Sequence, residues 1–210
     1  MTGSRRLYNP RMDEIVWRAM AKWPNVPSVF GWLYLDRRGN WSIKGERLTN
    51  PAITAFIDRN YAADETGRWF FQNGPQRVFV SLAYTPLVYR VSSGHASRLR
   101  FHTHTGVEAS EPRGAWLDET GAVLLETELG VGLVHDQDLP QVLGCWVAED
   151  GRPLTDEQIE LIVEARPAPT GAWLRLGPLR VPIGMIRSTE VAARFGFDPD
   201  PRPAAGEPEC

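Results

Sequence analysis

The sequence predicts an α+β protein made by internal duplication: two related units of antiparallel strands with one helix each, preceded by an added N-terminal helix. Three observations carry this. Thr66-Gly67-Arg68-Trp69 running on to Gly74-Pro75-Gln76-Arg77-Val78 is echoed by Thr170-Gly171-Ala172-Trp173 running on to Gly177-Pro178-Leu179-Arg180-Val181, with seven identities in the same order. A repeat of that kind sets architecture before any single residue is read. The order strand, turn, strand, helix, strand, turn, strand is legible twice. Finally, 210 residues that are 42% hydrophobic, with eight Trp and eight Phe, are enough for a packed core.

Taken in order, Asn9-Pro10 starts a helix with proline at its first position. Ile15, Val16, Ala19, Met20 and Trp23 share one face of that helix, which Pro24 and Pro27 end. Leu33 and Leu35 alternate on a strand, Asp36 to Asn40 is turn chemistry, and Trp41 and Ile43 return. Asn50-Pro51 starts a second helix with Ile53, Phe56, Ile57 and Tyr61 as its apolar stripe. Trp69 to Gln72, the Asn73-Gly74 turn and Val78, Val80 and Leu82 form a hairpin. Pro86 to Val91 adds a strand.

The second unit has strands over Leu99 to Thr105, Ala115 to Leu117, Val123 to Thr127 and Leu143 to Val147. Its Glu149-Asp150-Gly151 turn matches the Asp36 turn in role. Thr155 to Gln158 is a capping box, opening a helix with Ile159, Ile162 and Val163 inward. Trp173 to Leu176, Gly177-Pro178 and Arg180 to Ile183 repeat the hairpin. Ser188 to Phe195 forms a short closing helix, stopped by Gly196. The units divide as 1–28 (helical lead-in), 29–97, 98–196, and a proline-rich tail, 197–210, expected to be disordered.

On these residues a resemblance rests. Asp36, Gly39, Trp41, Lys44 and Gly45, then Pro75, Val78, Val80, Pro86 and Val91, and the segment Leu99 to Gly106, resemble a bacterial family known only as a domain of unknown function. The resemblance implies a duplicated fold whose C-terminal half is pleckstrin-homology-like. It also implies a ligand site between the halves, for a nucleotide-like molecule, and a signalling role. The extra N-terminal helix, and Gly74-Pro75 where that family commonly has Thr-Pro, are the marks of a sister family.

Charge and composition exclude several classes. With 23 basic and 26 acidic residues the net charge is −3, which argues against a general nucleic-acid binder. Cys145 and Cys210 do not read as a disulfide or a metal cluster. The basic start is followed by no apolar core, so no signal peptide is expected. The apolar run Val78 to Tyr89 is too short to span a bilayer. The chain reads as soluble and cytoplasmic. Gly130-Val131-Gly132 lacks the rest of a dinucleotide fingerprint, and no phosphate-binding loop or nucleophile elbow exists. No cofactor is indicated.

Candidate chemistry lies on one strand. Alternation puts Arg98, Arg100, His102 and His104 on one face and Leu99, Phe101, Thr103 and Thr105 on the other. The polar face is either a solvated surface or a site for a phosphate or carboxylate, which arginine's planar fork suits. Arg77 and Arg180 follow equivalent Gly-Pro turns and are a second pair of anion-binding candidates. His102 and His104 also have metal-ligand spacing, with His135, Asp136 or Asp138 as the further ligand that a catalytic zinc needs. The leading expectation is a non-enzymatic ligand-binding or regulatory protein for a small anionic ligand between the units. The alternatives are a metal-dependent hydrolase and a protein-interaction module.

Overall fold

The computed structural model describes residues 12–23, 26–93, 99–165 and 170–206. They fall into two compact units, one of residues 1–86 with 196–210 and one of residues 87–195. The fold is mixed α+β, dominated by two sheets. Among the described residues no helix is long and apolar enough to cross a membrane.

The first unit holds α1 (Glu14–Lys22), β1 (Val29–Leu35), β2 (Trp41–Ile43), β3 (Glu46–Arg47), α2 (Pro51–Arg59), β4 (Tyr61–Ala63), β5 (Trp69–Asn73) and β6 (Gln76–Leu82). Its sheet runs β3-β2-β1-β6-β5-β4, with β1 and β6 parallel and every other pair antiparallel. The Asp36 carboxylate closes the β1–β2 turn by accepting the N–H groups of Arg38 and Asn40, each at 2.8 Å. Asn50 caps α2 by accepting from Ala52 and Ile53, and Pro51 occupies the first turn, where no N–H is needed. α2 packs on the sheet face that carries Leu33, Trp41 and Phe71. The Phe56 and Phe71 rings meet edge to face at 5.4 Å, and Trp41 Nε1 donates to Asp58 at 2.7 Å. On the opposite face Phe30, Phe70, Phe79 and Ala62 cluster.

The N-terminal helix is less buried than its stripe predicts. Its expected start at Asn9-Pro10 lies outside the described residues; the described helix follows Asp13, whose carboxylate takes the Arg59 guanidinium at 3.1 Å. Val16 is buried, but Ile15 is 73% and Trp23 51% exposed. Ala19 and Met20 are half-buried, so the body covers the middle of the apolar stripe and leaves its two ends uncovered.

The expected disordered tail is corrected for residues 197–206. Asp198 bridges Arg68 in parallel and donates its N–H to Gly67 O at 3.0 Å; Leu82 N–H donates to Pro199 O at 2.7 Å. Prolines need no donor partner, the Pro199 carbonyl satisfies the end of β6, and Phe197 and Pro201 are buried, so the extended proline-rich segment docks. Residues 207–210 lie outside the described residues.

The second unit holds β7 (Leu87–Ser93), β8 (Leu99–Thr103), β9 (Glu108–Ala109), β10 (Gly114–Leu117), β11 (Val123–Thr127), β12 (Gly130–Val134), α3 (Leu139–Leu143), β13 (Trp146–Ala148), α4 (Asp156–Ala165), β14 (Ala172–Leu176), β15 (Leu179–Met185) and α5 (Val191–Phe195). Its sheet runs β13-β14-β15-β10-β11-β12-β7-β8-β9. The boundary expected after residue 97 is corrected to Pro86. β7 pairs in parallel with β12 and antiparallel with β8, so both its edges are satisfied in the second sheet.

Without β7, β8 and β9, the second sheet reads β12-β11-β10-β15-β14-β13, the strand order of the first sheet, including its central parallel pair. The duplication is therefore visible in topology. Its details differ from the sequence reading. The counterpart of the Asp36 turn is the Asp118 turn between β10 and β11, where Asp118 accepts from Thr120 and Ala122 at 2.8 and 2.9 Å. The Glu149 to Gly151 turn instead opens the β13–β14 connection, which also holds α4. The place of α2 is taken by α3, so one helix per unit is corrected to three in the second unit's described residues. The tryptophans of the echo are not equivalent either. Asn73↔Gln76 and Leu176↔Leu179 close the two Gly-Pro hairpins, and counting back aligns Trp173 with Phe70 and Trp69 with Ala172.

Candidate functional site

β8 shows the predicted alternation: Phe101 and Thr103 are buried, Arg100 is exposed, and His102 is half-buried. The pairing with β7 adds what the strand alone does not show. Arg90 stands directly opposite His102, and Ser92 opposite Arg100. Cross-strand partners share a face, so Arg90, Ser92, Arg100 and His102 form two adjacent rows of nitrogen and hydroxyl groups.

Carboxylates border this cluster. Arg100 pairs with Glu108 at 3.2 Å, both side chains more than half exposed, an arrangement worth about 0–1 kcal/mol. Glu108 is also the cross-strand partner of His102 from β9. Arg90 Nε donates to the buried Asp138 at 2.6 Å, and Asp138 also accepts Val91 N–H at 3.0 Å. Burial pushes the Asp138 carboxyl up, but the Arg90 guanidinium and the Val91 N–H outweigh it and hold the group below the usual carboxylate range. A depressed folded value means that the stability is fully present above the unfolded value near 3.9 and is lost as pH falls through the folded one. Asp138→Asn is expected to lower stability at pH 7 and to flatten the acid limb of urea unfolding measured in steps below pH 5. An unchanged acid limb would show that Asp138 contributes nothing to it.

The remaining candidates do not join this cluster. His104 Nδ1 accepts Val88 N–H at 3.3 Å while the His104 backbone N–H donates to Val88 O, holding the residue at the β7–β8 pairing. His135 is buried, and its Nδ1 accepts Gln137 N–H at 3.1 Å. Among the described residues no three His, Cys, Asp or Glu side chains are grouped to hold a metal ion. Of the metal-ligand candidates, Asp138 accepts from Arg90, and His104 and His135 each accept a backbone N–H at Nδ1. Arg98 lies outside the described residues. Arg77 and Arg180 do occupy equivalent positions. Arg77 stacks on Phe70 at 4.6 Å; Arg180 stacks on Trp173 at 5.0 Å and donates to the Ala148 and Glu149 carbonyls.

Sequence reasoning missed one element of the site. A cleft of about 240 Å³ adjoins the cluster, lined by Leu99, Arg100, Phe101, Glu108 and Ser110 and by Leu176 from β14. Leu176 reaches β8 because the nine-stranded sheet curls until its two ends approach. The two-residue β9 left no pattern from which that curl could be read.

A family described as a protein of unknown function (DUF2946) matches residues 12–202. No curated protein matches the chain. Two crystal structures of DUF1285 family proteins are similar to it. The one from Silicibacter pomeroyi DSS-3 is 19% identical over 75% of this chain and 95% of that chain, with a TM-score of 0.49. The one from Shewanella baltica OS155 is 19% identical over 56% of this chain and 91% of that chain, with a TM-score of 0.40. The match over residues 12–202 spans nearly all of the sequence, and the chain belongs to the family of proteins of unknown function DUF2946.

Proposed function

We propose that this is a non-enzymatic binding protein that takes a small anionic ligand, such as a phosphate-bearing metabolite, on the β7–β8 face of its second unit. The observation that supports this reading is the register that puts Arg90, Ser92, Arg100 and His102 in two adjacent rows. Arg100 is the group most available to a ligand, because its exposed pair with Glu108 costs little to exchange for a phosphate held by two parallel hydrogen bonds. His104, just beyond the end of β8 and outside the cluster, holds the β7–β8 pairing through Val88. The resemblance to a family with a pleckstrin-homology-like half, for which a nucleotide-like ligand has been suggested between the halves, supports the class of ligand and not this location.

The test is a thermal-shift series with inorganic phosphate, pyrophosphate and nucleoside phosphates on the full chain. A ligand that binds the folded state raises Tm as its concentration exceeds Kd. Arg100→Ala and His102→Ala are each expected to weaken binding about tenfold, as loss of a charged hydrogen bond implies. The reading fails if no phosphorylated compound shifts Tm. It fails equally if Arg77→Ala abolishes the shift while Arg100→Ala retains it.

A further inference from the structure

Beyond the buried Phe30, Phe70 and Phe79 cluster, the same face of the first sheet carries two exposed aromatic rings on a central strand. Trp32 and Tyr34 alternate with Leu33 and Leu35 along β1; the aromatic residues are 43% and 42% exposed, the leucines 1%. A bulge produces this. The β1–β6 register shifts between Val29 and Leu33, with Gly31 at φ 72° inside it. Phe30 stacks on Phe79 at 4.5 Å within the buried cluster, while Trp32, beyond the bulge on the same face, stays 43% exposed. Tyr34 stands between two small residues, Ser42 on β2 and Ser81 on β6, which leave its ring uncovered.

One cation covers Trp32, and a second stands two strands from Tyr34. Lys44 lies across from Trp32, donating its backbone N–H to Trp32 O, with Nζ 3.5 Å from the ring centre. Arg47 is the cross-strand partner of Ser42, which pairs with Tyr34, and donates to Asn40 at 2.6 Å. Asp200, bonded to Ser81 and Arg202, bounds the face on the β6 side. Two rings at alternate positions stand about 7 Å apart along the strand, so each takes one base of an extended strand. The lysine that caps Trp32 has a phosphate to move to when a base displaces it.

We propose that this face binds a single-stranded nucleic acid, its bases stacked on Trp32 and Tyr34 and its phosphates met by Lys44 and Arg47. Stacking is indifferent to the chain's net charge of −3, which argues against a general polyanion binder but not against this platform. Two phosphate contacts on a single strand imply a slope of log K against log salt of about −1.4.

The experiment is fluorescence anisotropy of end-labelled oligouridylate and oligodeoxythymidylate titrated with the full chain. Trp32→Ala and Tyr34→Ala are each expected to weaken binding about five- to hundredfold, and Trp32→Phe to retain most of it. Lys44→Ala should reduce the salt slope by about 0.7. Arg152→Ala, an exposed cation of the other unit with no part in either site, should leave binding unchanged, which separates this face from general attraction to surface charge. The inference is overturned by absence of saturable binding, by binding that survives the Trp32→Ala/Tyr34→Ala double substitution, or by equal competition from uridine monophosphate at the same nucleotide concentration.

Discussion

Gly67→Ala is expected to cost the protein about 3 kcal/mol and to release the segment that follows Gly196, because two penalties add: a left-handed backbone and a blocked contact. Gly67 has φ +84°, and a Cβ there would run into Gly196 O and stand 3.0 Å from Phe197 Cα. The obstacle is backbone, which cannot rotate aside as a side chain does. The same junction carries the Asp198 N–H to Gly67 O bond and the Arg68↔Asp198 bridge, so separating it strips the docked tail. The internal repeat supplies the control. Gly171, the matching glycine of the echo, has φ +68°, and a Cβ on it would meet nothing within 4 Å. Gly171→Ala should therefore cost only the conformational penalty, about 1–2 kcal/mol. Urea unfolding of both variants, with limited proteolysis of residues 196–206, decides the matter. Equal costs would mean that the close approach at Gly67 contributes nothing.

Gly132→Ala is expected to destabilise by a similar amount, about 3 kcal/mol, the upper end for overpacking a core. Gly132 lies opposite Leu87 in the parallel β12–β7 pair. A Cβ would stand 2.7 Å from Cδ2 and Cε2 of Tyr89 and 2.9 Å from Leu87 O. The Tyr89 ring cannot retreat: the residue is fully buried, its hydroxyl meets Thr127 Oγ1 at 2.7 Å, and it donates to Gly130 O at 2.9 Å. Burial also pushes the Tyr89 phenol well above its ordinary range, so the hydroxyl stays a donor. A double-mutant cycle with Tyr89→Leu measures the clash. Gly132→Ala should cost distinctly less when the ring is absent, and strict additivity would exonerate the ring.

These two glycines show where local reading stops. The sequence has Gly67 and Gly171 in identical Thr-Gly pairs, yet one is wedged against another backbone and the other is open. The turns, by contrast, are legible from their own residues. Asp36 folds its carboxylate onto the N–H groups two and four residues ahead, and Asn50-Pro51 opens α2, because both acts need only neighbours in the chain. The polar face of β8 is legible for the same reason, since alternation along a strand is a local property.

Partners distant in sequence are another matter. β7 reads as the last strand of the first unit until its parallel pairing with β12 places it in the second sheet. The echo matches Trp69 with Trp173 by letter, but the hairpin register has a one-residue shift that sends them to opposite faces. The stripe of Arg100, His102 and His104 gives no sign that Arg90 stands in the same rows or that Asp138 and Glu108 offset its charge. Trp32 and Tyr34 carry no signal in the alternation of β1, which marks the residues that face away from the core but not those that remain uncovered. The α+β class, the duplicated hairpin and the alternating faces are thus written in the order of residues, because each follows from contacts within a few positions. The unit boundary, the docked tail and the make-up of the two candidate binding faces emerge on folding alone, because strand pairing joins residues whose separation leaves no periodic trace.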